Sequence, residues 1–330
     1  MKKTKNNFHC EGLVYQHSLQ LKTSGPNAKT PGVEYIQGSI QVATDDDCTN
    51  IVEIYYPYVT ALTSKKKENP VYLVLANLIN GTFDTVMGGG AEKAVKVRVD
   101  TSIALNDFYS DRSGTDELVS VKRNEGGFIH TTGPWSSDED GRNKFEVDMV
   151  ITGVRRQEAD PDRNLPEKGI IKGCIFDDFR KRMLPVELSV LNPNAIDYFE
   201  GLEASSSNPV FTRVQGKEIS ETIVRQIVEE SAFGEPSVRE VKNSRKDYVI
   251  TWAQSDPYDW DDESTITADE LKQMIADREV YLAELKANRE QWKANRGGGT
   301  SFETSTVNTT PTMPETPTQA PAKANNTFDF

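Results

Sequence analysis

The residues able to do chemistry in this sequence are few and scattered. His9, His17 and His130 are the only histidines, and none has a metal-ligand neighbour at helical or strand spacing, so surface and turn roles are expected of them. Cys10, Cys48 and Cys174 are odd in number and lack Cys-x-x-Cys spacing, which predicts a reduced, intracellular chain without a disulfide framework or a zinc site. Gly88-Gly89-Gly90-Ala91-Glu92-Lys93 lacks the order of a phosphate-binding loop and is read as a mobile loop. Asp45-Asp46-Asp47 is read as a solvated turn. No nucleophile–base pair or carboxylate pair emerges, so neither an enzyme nor a metal or cofactor site is expected.

What remains is aromatic rings beside amides and cations, the chemistry that holds a polyanion with exposed π-faces. Bases stack on rings for about 1–3 kcal/mol each, and cations meet phosphates. In Tyr35–Thr44 apolar and polar residues alternate, so Ile36, Gly38, Ile40 and Val42 point inward while Tyr35, Gln37, Ser39 and Gln41 point out. If Val52, Ile54 and Tyr56 face a core, Tyr55 joins Tyr35 and Gln37 outside. The same parity places Lys172, Cys174 and Phe176 outside on a later strand. Next to it Phe179-Arg180-Lys181-Arg182 forms a basic, aromatic loop, and Arg155-Arg156 closes the strand before.

The elements that must position these groups are mostly strands. Leu13–Leu21, Ile51–Tyr58, Val71–Ala76 and Val95–Ile103 are strand-like, and Leu118–Arg123 with Gly127–Thr132 reads as a hairpin turning at Asn124-Glu125-Gly126. Phe145–Val154, Ile170–Phe176, Leu184–Leu191, Val210–Val224 and Asp247–Ala253 follow, with a short helix at Ala195–Leu202. Ile36-Gln-Gly-Ser-Ile40 and Ile171-Lys-Gly-Cys-Ile175 repeat an Ile-x-Gly-x-Ile pattern, each after one strand and before an acidic turn and another strand. Short, strongly bent strands with a glycine early and one short helix are what an OB-fold uses to close a small barrel. The expected fold is mainly β: two OB-like five-stranded barrels in tandem (1–143 and 144–255), a C-terminal amphipathic helix and a disordered tail.

The chain has 330 residues and a net charge of −13, which argues against wholesale attraction to a polyanion. The charge is unevenly placed, at −3 in 1–143, −3 in 144–255, −5 in 256–296 and −2 in 297–330. The barrels are therefore nearly balanced and can carry local cationic patches. No apolar run approaches the roughly 18 residues that span a bilayer, and Lys2, Lys3 and Lys5 precede no apolar signal core, so neither membrane insertion nor secretion is expected.

After an acidic connector, Thr267 and Glu270 form a capping box. Leu271, Ile275, Leu282, Leu285 and Trp292 then follow at helical spacing to Arg296, before Gly297-Gly298-Gly299. This helix, 267–296, either packs on the second barrel or joins two copies of the chain. Residues 297–324 are too polar to bury a core and are expected to be disordered. The tip, Thr327-Phe328-Asp329-Phe330, offers two aromatics and two carboxylates, which suit an apolar pocket with a basic rim.

Two OB-like segments, a Gly/Thr/Pro tether and an acidic-aromatic tip resemble the single-stranded DNA-binding proteins of bacteria and their phages. Within 170–290, Gly173, Phe176-Asp177-Asp178, Leu184-Pro185, Asp197-Tyr198-Phe199, Ser231-Ala232-Phe233-Gly234 and Tyr281-Leu282-Ala283 resemble proteins of large phages infecting Gram-positive bacteria. The resemblance implies sequence-independent single-stranded DNA binding in replication, recombination or repair, in the cytoplasm of a bacterial host. It also implies that Phe328, Asp329 and Phe330 recruit replication or repair proteins. The alternative is a protein-interaction or virion-associated module that uses the barrels as scaffolds.

Overall fold

Two glycines with matching neighbours mark the plan of the molecule. A Cβ on Gly38 would lie 2.5 Å from the Ser18 carbonyl oxygen, and one on Gly173 would lie 2.1 Å from that of Val150. Each is the centre of an Ile-x-Gly-x-Ile repeat, and each sits where the second strand of a ring bends tightly across the first. Gly38 also has φ 136°, a conformation that side chains oppose.

The structure, a computed structural model, describes residues 4–26, 28–110, 116–133, 135–159, 166–178, 180–229, 237–260 and 266–296, at the level of the backbone for 221–229, 237–245 and 295–296. In chain order the first part comprises β1 (Asn6–His17), β2 (Gln20–Thr23), β3 (Glu34–Ala43), β4 (Ile51–Thr60), α1 (Pro70–Ile79), α2 (Val86–Gly89), β5 (Lys96–Ser110) and β6 (Glu117–Thr131). These strands close as β1–β3–β4–β6–β5–β1, with β4–β6 parallel and every other step antiparallel. β2 adds an edge beside β3.

A 3-10 turn at Glu139–Arg142 leads to β7 (Asn143–Gln157), β8 (Lys168–Asp177), β9 (Arg182–Val190), α3 (Pro193–Gly201), β10 (Val210–Glu229) and β11 (Ser237–Ala253). They close in the same order, β7–β8–β9–β11–β10–β7, again with one parallel step, between β9 and β11. Each ring carries its helix between its third and fourth strands, as in an OB barrel. Pairing of β1 with β7 joins the rings into one eleven-stranded sheet. The interiors hold the inward residues of the strands, Ile36, Ile40, Val52, Ile54 and Tyr56 among them, and Leu75 and Phe199 from the two helices.

Three local expectations are corrected. Val71–Ala76 is helical, within α1: Asn69 caps its N-terminus by accepting from the Val71 N–H at 3.2 Å, and Pro70 takes the first turn. A short apolar run carries no periodicity that separates a strand from a buried helix. Asn124-Glu125-Gly126 is no hairpin turn, because β6 runs straight through it. Gly126 and Gly127, at φ 69° and 87°, form a bulge that inserts one residue opposite Thr101. Gly88-Gly89 ends the helical turn α2, which is capped by Thr85. By contrast Asp45 sits in a turn as expected, accepting from the Thr49 and Asn50 N–H groups.

The two barrels hold each other through polar groups. Glu218 of β10 is buried, its carboxylate accepting from Asn124 at 2.6 Å, while its backbone meets Asn143 (2.6 and 3.1 Å) and Asn50 (3.1 Å). Tyr248 donates to Asn124 at 3.1 Å, and Lys122 lies 5.4 Å from the Tyr248 ring centre while donating to the Glu187 carbonyl. The β5–β6 arm of the first barrel thereby docks on the second.

The last element, α4 (Ala268–Arg296), starts at the expected capping box, with Thr267 N–H donating to Glu270 (3.1 Å) and Glu270 N–H to Thr267 (3.2 Å). Its first turns and the residue leading into them pack on the second barrel: Leu271 and Met274, with Ile266 just before the helix, cover Val150, Cys174, Phe176, Met183 and Phe211. Farther along, Arg278 pairs with Asp107 of the β5–β6 arm at 3.0 Å, both side chains nearly buried, and Arg289 and Lys293 reach Asp116.

Candidate nucleic-acid interface

The outer surface of β3 and β4 carries a chain of rings, amides and cations. Lys22 of β2 donates to the Gln37 side-chain oxygen at 2.8 Å, and the Gln37 amide donates to the Tyr55 hydroxyl at 2.7 Å. The Arg123 guanidinium lies over the Tyr55 ring, 4.4 Å from its centre. Arg123 in turn binds the Glu125 carboxylate, whose other oxygen accepts from Arg180 at 2.6 Å. Arg180 belongs to the β8–β9 turn of the second barrel and also pairs with Asp177 at 3.2 Å. Burial alone would lower the Arg180 pKa, but Glu125 and Asp177 outweigh it and raise it.

Gln37 and Tyr55 therefore stand where alternation places them, and the structure links them to Arg180. Tyr35 does not reach the surface. It is 8% exposed, and Tyr58 lies on it with ring centres 4.4 Å apart. The exposed ring is Tyr58, at 39%. Strict alternation from Val52, Ile54 and Tyr56 turns Tyr58 inward, but the β3–β4 register slips between Ile36 and Gly38, setting Pro57 and Tyr58 opposite Gln37. Pro57 within the strand was the signal for that bulge.

On the second barrel the expected face is covered. Phe176 and Cys174 are fully buried beneath α4, with Phe176 edge-on to Phe211. Apart from Lys172, the interior of β8 is apolar or glycine and buried on both faces, so alternation cannot tell which face a later element covers. Lys172, Arg155 and Lys181 are exposed. Arg156 is bound by Glu167, Asp197 and Glu200, so three carboxylates already neutralise it. Arg182 stacks on Tyr281 of α4, 4.4 Å from the ring centre. Phe179 and the tip residues Phe328, Asp329 and Phe330 lie outside the described residues.

Among the described residues no group of three or more His, Cys, Asp or Glu side chains could hold a metal, the three cysteines are free, and no helix is long and apolar enough to cross a membrane. A family model named YorF matches residues 5–288, both barrels and most of α4. The chain belongs to the YorF family. No curated protein matches it. Among solved structures, this YorF chain is similar to a deletion mutant of the single-stranded DNA binding protein from Thermus aquaticus, at 9% identity and a TM-score of 0.43, over 80% of this chain and 100% of that one.

Proposed function

We propose that this protein is a non-enzymatic, sequence-independent single-stranded DNA-binding protein whose main contact surface is the β3–β4 face of the first barrel, continued onto the β8–β9 turn of the second. One observation carries the reading: Tyr58 lies opposite Gln37 in the strand register, Gln37 joins Lys22 and Tyr55, Arg123 lies over the Tyr55 ring, and Glu125 bridges Arg123 to Arg180, so that these groups form one path. Rings along such a path stack bases of any identity, and the cations follow the backbone.

The two barrels divide the work. The first presents its strand face, the second turns its own toward α4 and contributes Arg180 and Lys181 of its β8–β9 turn, and the exposed cations Arg155 of β7 and Lys172 of β8 are proposed to add phosphate contacts. The tip residues Phe328, Asp329 and Phe330 are proposed to recruit replication, recombination or repair proteins, in the cytoplasm of a bacterium carrying a phage. The sequence supports this part, through aromatic and acidic groups at the end of a polar tether. A fluorescence titration of labelled oligo-dT and of the matching duplex tests the binding reading. Preference for the single strand is expected at low salt, and failure to bind it overturns the proposal.

A further inference from the structure

Glu125 stands out along this path as an anion among the groups expected to meet phosphates. Its side chain is 7% exposed and lies between two guanidiniums from different barrels, Arg123 at 2.8 Å and Arg180 at 2.6 Å. A carboxylate shared by two arginines occupies the position that a phosphate would fill with the same fork geometry. Its placement is built into the backbone. Glu125 immediately precedes the Gly126-Gly127 bulge, and Thr101 holds the Glu125 carbonyl at 2.8 Å. At Gly127 a Cβ would meet the Asp100 carbonyl oxygen at 2.1 Å, so the bulge is specified by glycine. The bulge re-aims β6 next to Glu125, whose carboxylate meets Arg180 of the second barrel.

We infer that Glu125 is an internal phosphate substitute, which occupies the Arg123–Arg180 seat in the free protein and yields Arg180 to a backbone phosphate when a strand binds. The inference rests on the single-strand-binding reading and adds its control element. Exchange of one anion for another leaves Arg180 paired on both sides of the equilibrium, so the seat is never two bare cations. It admits a phosphodiester only when neighbouring bases stack at the same time on Tyr55 and Tyr58. The consequence is weak attraction to duplex or other polyanions that bring charge without free bases.

The test compares Glu125→Gln with the unaltered full chain against oligo-dT and duplex of equal length. Tighter binding is expected for both ligands, roughly two- to fivefold, the scale of one ion pair whose arginine is partly exposed. The gain should be larger for duplex, so that preference for the single strand narrows. In an Arg180→Ala background the same substitution should give a smaller gain. Glu125→Asp, which keeps the charge but spans the two guanidiniums less well, gives a second measure and should also bind more tightly. Unchanged or weaker binding by these variants, at an unchanged melting temperature, overturns the inference while leaving DNA binding intact. If the unaltered chain binds neither ligand, the reading beneath it fails instead and the inference falls with it.

Discussion

Tyr58 lies on Tyr35 with ring centres 4.4 Å apart, so that one tyrosine is buried and the other is presented. A buried ring under an exposed one is a rigid platform. Its outer face keeps its orientation whether or not a base rests on it. Tyr58→Ala should therefore weaken oligo-dT binding by about 1–3 kcal/mol, the value of one stacked base, with little change in melting temperature. Tyr35→Ala should lower the melting temperature as well, because it empties a buried position. Equilibrium titration and thermal melts of the two variants separate these effects.

Phe176 should behave as a core residue. It is fully buried against Phe211 under Leu271 and Met274. Phe176→Ala is expected to cost about 3–5 kcal/mol in denaturant unfolding, mostly through the cavity it leaves. A stability loss below about 1 kcal/mol would mean that α4 does not cover this face.

The strand plan was legible where one face of a strand meets a core and the other meets solvent. Ile36, Ile40, Val52, Ile54 and Tyr56 are inside as alternation requires, Gln37 and Tyr55 are outside, and the Ile-x-Gly-x-Ile repeat marks the second strand of each ring. Legibility failed wherever a bulge shifted the parity or a distant element covered a face. Pro57 turned Tyr58 out, the Gly126-Gly127 bulge kept β6 running through an apparent turn, and α4 buried Cys174 and Phe176. The links from Arg123 through Glu125 to Arg180 depend on how two barrels dock, which no local pattern encodes.

The junction between the barrels should sense pH. Burial raises the Glu218 carboxyl from 4.5 to about 7, against the opposing pull of its bond from Asn124. Between those values the folded protein holds a proton that the unfolded chain has released. The stabilisation is thus fully present below about pH 4.5 and is lost as pH rises through about 7, by roughly 3 kcal/mol in all. Glu218→Gln should flatten that part of the stability profile. Urea melts between pH 5 and 8 that show equal slopes for both proteins would contradict this.

Arg278 and Asp107 join α4 to the β5–β6 arm, with side chains only 11% and 4% exposed. Truncating one leaves the other buried and unpaired, so Arg278→Ala should destabilise by about 3–5 kcal/mol, more than Arg278→Ala combined with Asp107→Asn. A double-mutant cycle by chemical denaturation checks the coupling.

A Cβ at Gly173 would fall 2.1 Å from a backbone oxygen, which no rotamer change relieves. Gly173→Ala should therefore cost about 3 kcal/mol or more, or prevent folding, whereas Gly153→Ala, with open space around it, should not. Circular dichroism melts of the pair report the difference.

One continuous path on the first barrel, completed by Arg180, is proposed to hold a single strand. The most direct measurement is oligo-dT affinity of the Tyr55→Ala, Arg123→Ala, Arg180→Ala triple variant against the unaltered chain, across a salt series and alongside melting curves. The expected result is a loss of at least a hundredfold and a salt slope shallower by about 1.4, the change for two single-strand phosphate contacts, with the barrels still folded. Equal affinity and an equal slope in a folded triple variant would contradict it.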